Sequence, residues 1–319
     1  MTAPPEDTKE FRNIASADGS LQLEFCARAG GSITGFRYLS GYKSFDLFRR
    51  WGSADTVQNG PVMASFPLTP YSNRIIDHKL TVGGTTYDVG PSFAEGNQLH
   101  GDGWVLPWKG TDIGQHHAVL ELITEKRAET PYVYHARQTL RLENTRLEIA
   151  MEVTNRSGLR LPFGLGHHPF IPKNDQTILR ARLPHVWLTK EHMVPSERIE
   201  TPAKWDFSKG LTLADGTFAP ASQGLSGQDL LDNCFQGWDQ KTDIIWPDRQ
   251  WRMTMTAEPV FRNFVIYLGP ASGCFCAEPV TNIIDAFNLH ERGVADTGTV
   301  FLEDGETLRG KMWFEVGPA

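Results

Sequence analysis

Residues 134–153 read YHARQTLRLENTRLEIAMEV. Leu140 and Leu142 alternate with polar neighbours, the group Glu143-Asn144-Thr145 interrupts them, and Leu147, Ile149, Met151 and Val153 resume the alternation. A period of two puts every second side chain on one face, so the stretch predicts a β-hairpin with one buried face. Outward from it the same period recurs. HKLTVGGTTYDV (78–89) reads as a second hairpin, with Gly83-Gly84 supplying the positive φ angles of a two-residue turn. Further strands are expected at 21–25, 32–39, 117–125, 261–269 and 306–316. Helical stripes at i, i+3 and i+4 are scarce. Parallel strands need crossover segments of about a dozen residues, which are missing, so the expectation is an all-β protein built as a large antiparallel β-sandwich. No internal repeat points to a propeller or solenoid. The polar, turn-rich residues 195–230 read as an excursion on the sandwich, residues 1–10 as a flexible tail, and 11–319 as one domain.

Composition narrows the partners. The 319 residues are 40% hydrophobic and include 18 Phe and 9 Trp, which is ample for a large core. Gly and Pro make up roughly one residue in six, in keeping with many short elements. The formal net charge is −7 with no dense Lys/Arg run, so no phosphate-neutralising surface for nucleic acid is expected. The acidic start MTAPPEDTKEF is unlike a secretory signal, and no apolar run approaches a membrane span, so the reading is cytoplasmic with no membrane partner. The four cysteines are too few for a disulfide scaffold and carry no zinc-like spacing. They read as packed free thiols, with Cys274 and Cys276 on one face of a strand.

Five segments break the alternation and gather polar side chains among Gly, Pro and aromatic residues, as sites on loops and strand ends do. FPLTPYSNRI (66–75) places Asn73 and Arg74 after a turn, a pairing suited to hydroxyl oxygens or simply to a surface. LHGDGW (99–104) carries His100 beside a glycine. In PFGLGHHPF (162–170) His167 and His168 should face opposite sides, so one of them can face a pocket; neighbouring histidines do not readily share a metal. LDNCFQGW (231–238) offers Asp232 as a ligand-binding carboxylate or a turn residue. CFCAEPVTNIIDAFN (274–288) puts Glu278 after an apolar strand and before Pro279, where the strand should end with a carboxylate at its rim. Burial there would raise its pKa and improve it as a base. Nucleophile-elbow, phosphate-loop and dinucleotide signatures are missing.

In this order, PYSNRI, LHGDGW, GLGHHPF, LDNCF, AEPVTNIIDAFN and the closing FLEDGETLRGKMWF resemble the aldose 1-epimerase (galactose mutarotase-like) family from about residue 20 to 316. The resemblance implies a β-supersandwich, His168 as general acid, Glu278 as general base, and Arg74, His100 and Asp232 as sugar-contacting residues, with Asn73 beside them. His167 has no such counterpart. It also implies a cofactor-independent isomerase with no metal, acting on a monosaccharide whose two anomers interconvert by ring opening and reclosure. Imidazole and carboxylate are then expected on either side of a sugar-sized gap. Trp104 could stack on the apolar face of the sugar, although a Trp near a glycine turn is more often plain packing. Three rival readings are open to the same residues. A hexose-6-phosphate 1-epimerase calls for more Arg or Lys than Arg74 alone. A non-catalytic carbohydrate-binding sandwich has no use for both His168 and Glu278. A glycosidase or lyase wants two opposed carboxylates, with Asp232 as the second.

Overall fold

A computed structural model describes residues 11–50, 63–90, 96–128, 130–214, 231–269 and 273–319, so the expected tail at 1–10 and residues 215–230 of the excursion lie outside it. The hairpin at its centre is the one expected. Tyr134–Glu143 and Arg146–Asn155 pair antiparallel around Asn144-Thr145, and the inward row Tyr134, Ala136, Gln138, Leu140, Leu142 is buried. Gly83 and Gly84 likewise turn Lys79–Val82 into Thr85–Asp88, both with positive φ.

Among the described residues the central hairpin belongs to a nine-stranded antiparallel sheet. Its order is Lys109–Ile113, His117–Ile123, Tyr134–Glu143, Arg146–Asn155, Thr307–Pro318, Trp251–Ala257, Lys241–Trp246, Ile178–Ala181 and Leu211–Thr212. An eight-stranded sheet holds Pro195–Glu200, His185–Thr189, Leu231–Gln236, Asn263–Leu268, Cys274–Val280, Gly166–His167 and Pro67–Leu68, with Phe170–Pro172 also pairing Cys274–Val280. A four-stranded sheet from Phe11–Ala15 to Lys43–Phe48 flanks them, with Phe48 edge-on to Phe314. The large antiparallel sandwich is therefore observed. Part of the polar excursion is itself sheet, since Pro195–Glu200 pairs with His185–Thr189.

A buried polar chain joins the two large sheets. Gln138, in the inward row of the central hairpin, accepts at Oε1 from His167 Nε2 at 2.8 Å and donates to the Gly31 carbonyl. His167 Nδ1 then accepts from the Ser65 hydroxyl. His167 thus points into the sandwich, and its neighbour His168 points the other way.

One interruption in the eight-stranded sheet creates room for a site. Gly166 pairs with Val280 and Phe170 pairs with Cys276, but His167, His168 and Pro169 leave that ladder between them. Pro279 has no N–H to donate, and it stands opposite this gap. The strand consequently runs on to Val280 instead of ending at Glu278 as the sequence reading expects.

The segment carrying Asn73 and the loop carrying His100 close over this gap. Asn282 binds the backbone N–H and carbonyl of Ser72, and Gly103 N–H donates to the Thr69 carbonyl. Gly101 has φ +67, and a Cβ there would lie 2.5 Å from the Pro70 ring and 2.8 Å from the Thr69 carbonyl oxygen. Gly101→Ala is therefore expected to destabilise the fold by about 2–4 kcal/mol, measured by urea unfolding. An unchanged midpoint would show that the loop does not depend on this close approach.

Candidate active site

Sheet register lays out the floor of the site. Asp232, Tyr267 and Cys276 are successive cross-strand partners, and Cys234, Val265 and Glu278 form the next row on the same face. Asn263–Leu268 and Cys274–Val280 are buried on both faces, so Glu278 is only 2% exposed.

His168 comes down on this floor from the interrupted strand. Its backbone N–H donates to the Phe66 carbonyl, and its ring lies at 26° to both Phe66 (4.6 Å) and Phe170 (4.7 Å). The Arg49 guanidinium sits 3.5 Å over Phe170 and is bound to the Met63 carbonyl. His168 Nε2 lies 3.2 Å from Glu278 Oε1. Acid and base candidates are thus in contact, and not parted by a sugar-sized gap as the sequence reading expects.

The pair is strongly perturbed by its surroundings. Burial, reinforced by Asp232, pushes the Glu278 carboxyl well above the usual range against the opposing pull of Arg74. Burial lowers the His168 imidazole to about 3. Both shifts disfavour charge, so the contact is best described as one proton held between two buried groups.

The lip is made by Arg74–Ile75 and Gln98–Leu99, which pair antiparallel. Asn73 and His100 both have positive φ and are knotted together: His100 N–H donates to the Asn73 carbonyl, and Asn73 N–H donates to His100 Nδ1 at 2.9 Å. Because Nδ1 accepts from a backbone N–H, the neutral imidazole carries its proton on Nε2. Burial, then His168 and Arg74, keep it neutral by lowering its pKa well below the usual value. Asn73 Oδ1 accepts from Arg74 N–H, and Arg74 Nη1 lies 4.0 Å from Asp232 Oδ2.

All six residues singled out by the sequence, Asn73, Arg74, His100, His168, Asp232 and Glu278, line one cavity of about 380 Å³. That size falls in the range of small-molecule pockets. Leu99, Phe170, Val265 and Tyr267 complete its described lining. The sequence reading missed these four, because an apolar or aromatic residue in a strand gives the same signal whether it faces a core or a cavity. Trp104 is not part of the lining. Its indole N–H donates to the Gly101 and Leu99 carbonyls and its ring stacks on Phe66 at 5.2 Å, so it backs the wall that holds His168. Asp102, also unremarked, anchors this loop to Tyr134 of the nine-stranded sheet and to Arg127 in the connection before that strand.

The chain as a whole is similar to several known proteins. The uncharacterized protein YphB of Escherichia coli K12 is 27% identical over 307 residues, covering 93% of this chain and 96% of that protein. A crystal structure from Escherichia coli K12, provisionally assigned as an aldose 1-epimerase, superposes with TM-score 0.82 at 25% identity, covering 97% of this chain and 99% of that one. Galactose 1-epimerase from Lactobacillus acidophilus NCFM shares the fold, with TM-score 0.77 at 13% identity, covering 100% of this chain and 98% of that one. The aldose 1-epimerase family model matches residues 18–315, nearly the whole length, and the chain belongs to that family.

Proposed function

We propose that the protein is a cofactor-independent aldose 1-epimerase that interconverts the anomers of a free aldose, with His168 and Glu278 as its proton carriers. The observation that carries this reading is the contact between these two groups in a sugar-sized cavity. In a pyranose the hydroxyl oxygen O1 and the ring oxygen O5 are both bonded to C1. Two proton carriers that stand side by side can therefore serve both atoms of a sugar lying over them.

The proton balance is simple. With the shared proton on His168, Glu278 is a carboxylate and takes the proton of the C1 hydroxyl, while His168 Nε2 gives its proton to O5. The C1–O5 electron pair goes to O5, C1=O1 forms, and the open aldehyde is left beside a neutral acid and a neutral imidazole. Rotation about C1–C2 presents the other face, and closure returns each proton to its source. Ring opening therefore moves the pair from its ion-pair form to its neutral form without exchange with solvent. Each transfer is worth about 10²–10⁴-fold. His100 Nε2–H and Arg74 supply donors and Asp232 an acceptor for ring hydroxyls, holding C1 over the pair.

Charge in the cavity favours a neutral sugar. Arg74 is the one Arg or Lys in the described lining, and it already stands beside Asp232. A phosphate dianion would meet a single engaged guanidinium and two carboxyl groups. Turnover is expected to be at least tenfold higher, as kcat/KM, on free than on 6-phosphorylated hexose. The reverse preference would assign the cavity to phosphosugars.

Glu278→Gln keeps shape and loses the base, so it should lower polarimetric mutarotation by about 10²–10⁴-fold while sugar still binds by calorimetry. Near-normal rates in the folded variant would remove Glu278 from the chemistry. The pKa directions add a pH signature. His168 gains a second proton only near its value of about 3, and the pair loses its proton only above the raised Glu278 value. The kcat/KM profile should accordingly show no inflection near the ordinary histidine value of about 6.5 on the acid side. Loss of activity on acidification through about 6.5 would mean that His168 titrates as an exposed imidazole.

A further inference from the structure

The acid–base scheme leaves out Cys276, yet its thiol lies against both proton carriers. Cys276 and Glu278 share a face of Cys274–Val280, and Phe170, two residues beyond His168, is the cross-strand partner of Cys276. One donor atom each from His168, Cys276 and Glu278 lies within 4.8 Å of the other two. We propose that these three side chains form a binding site for a thiophilic divalent cation of the zinc class, and that occupancy switches the enzyme off by taking the lone pairs the proton relay needs. The inhibitory half of this proposal rests on the function proposed above, whereas the binding half stands on geometry alone.

Tetrahedral zinc bonds of about 2.0–2.3 Å set ligand atoms about 3.3–3.6 Å apart. The His168–Glu278 separation of 3.2 Å is already close to that edge. Bringing in a third atom from no more than 4.8 Å asks for a shift of about 1 Å, within reach of side-chain rotation. One nitrogen, one sulfur and one oxygen, the first and last from residues that line the cavity, make a ligand set that suits zinc. The thiol selects against magnesium and calcium, which prefer oxygen alone. Charge also closes: a thiolate and a carboxylate balance a divalent cation, so the buried complex is neutral, and the displaced protons leave to solvent. Arg49, bound to the Met63 carbonyl and lying over Phe170, acts electrostatically on both His168 and Cys276, and Arg74 is engaged with Asp232.

Cobalt(II) reports such a site by its colour. Titrating chelator-treated protein with Co²⁺ is expected to produce the d–d bands of tetrahedral cobalt and a thiolate-to-cobalt charge-transfer band. Cys276→Ala and Cys276→Ser should abolish the charge-transfer band, and Cys234→Ala, which alters another buried thiol, should keep it. Glu278→Gln should weaken cobalt binding at least tenfold. Zn²⁺ should displace the cobalt and reduce wild-type mutarotation at least tenfold, while Cys276→Ala stays active in the same Zn²⁺. No charge-transfer band in the wild-type protein, or a band that survives in either Cys276 variant with native near-ultraviolet dichroism, overturns the proposal. A Cys276-dependent band in a protein with no metal-free mutarotation would uphold the cation site and refute the proposed function.

Discussion

A carboxyl group and an imidazole buried within hydrogen-bond reach of one another hold a single proton between them more readily than two or none. Either alternative leaves a net charge away from water, which is expensive without a further partner. The arrangement around His168 and Glu278 follows from that constraint. Glu278 sits inside a strand buried on both faces, His168 is packed by Phe66 and Phe170, and Arg74 and Asp232 offset each other at the rim. Where His167, His168 and Pro169 leave the ladder, the register set by Gly166–Val280 and Phe170–Cys276 still places His168 opposite Glu278, and its side chain rests on the carboxyl group. Pro279 in the adjoining strand is tolerated at the same gap for the same reason.

The wall behind the pair reaches far into the molecule. Trp104 stacks on Phe66, Phe66 lies against His168, and Arg49 covers Phe170 from above. On the opposite side of the strand, His167 is fixed through Gln138 to the nine-stranded sheet. Two adjacent histidines thereby serve different layers, one tying the sheets together and the other facing the cavity. A shift at the sheet interface would move His168 directly, because a single peptide unit joins the two rings.

How much was legible in the sequence depended on what each residue faces. The central hairpin was plain because Arg146, Glu148 and Ala150 are wetter than Leu147 and Ile149, which produces a clean period of two. Asn263–Leu268 and Cys274–Val280 are buried on both faces and show no such period, so the reach of the second strand was misjudged at Pro279. Resemblance brought the six polar residues together as a set, and all six share the cavity. Their local chemistry was hidden. The tautomer of His100 depends on the backbone N–H of Asn73, 27 positions earlier, and the contact between His168 and Glu278 depends on the register between segments more than a hundred residues apart. A tryptophan beside glycines can turn either way, and Trp104 takes the packing alternative, with Phe66 against its face.

The proposed chemistry depends on where C1 of the sugar lies. A crystal structure of the wild-type protein with a bound aldose tests this directly. It should show the C1 hydroxyl in hydrogen-bond contact with Glu278 and the ring oxygen in contact with His168 Nε2, with the ring hydroxyls turned toward Arg74, His100 and Asp232. A sugar bound with C1 facing the rim, or outside this cavity, would contradict it.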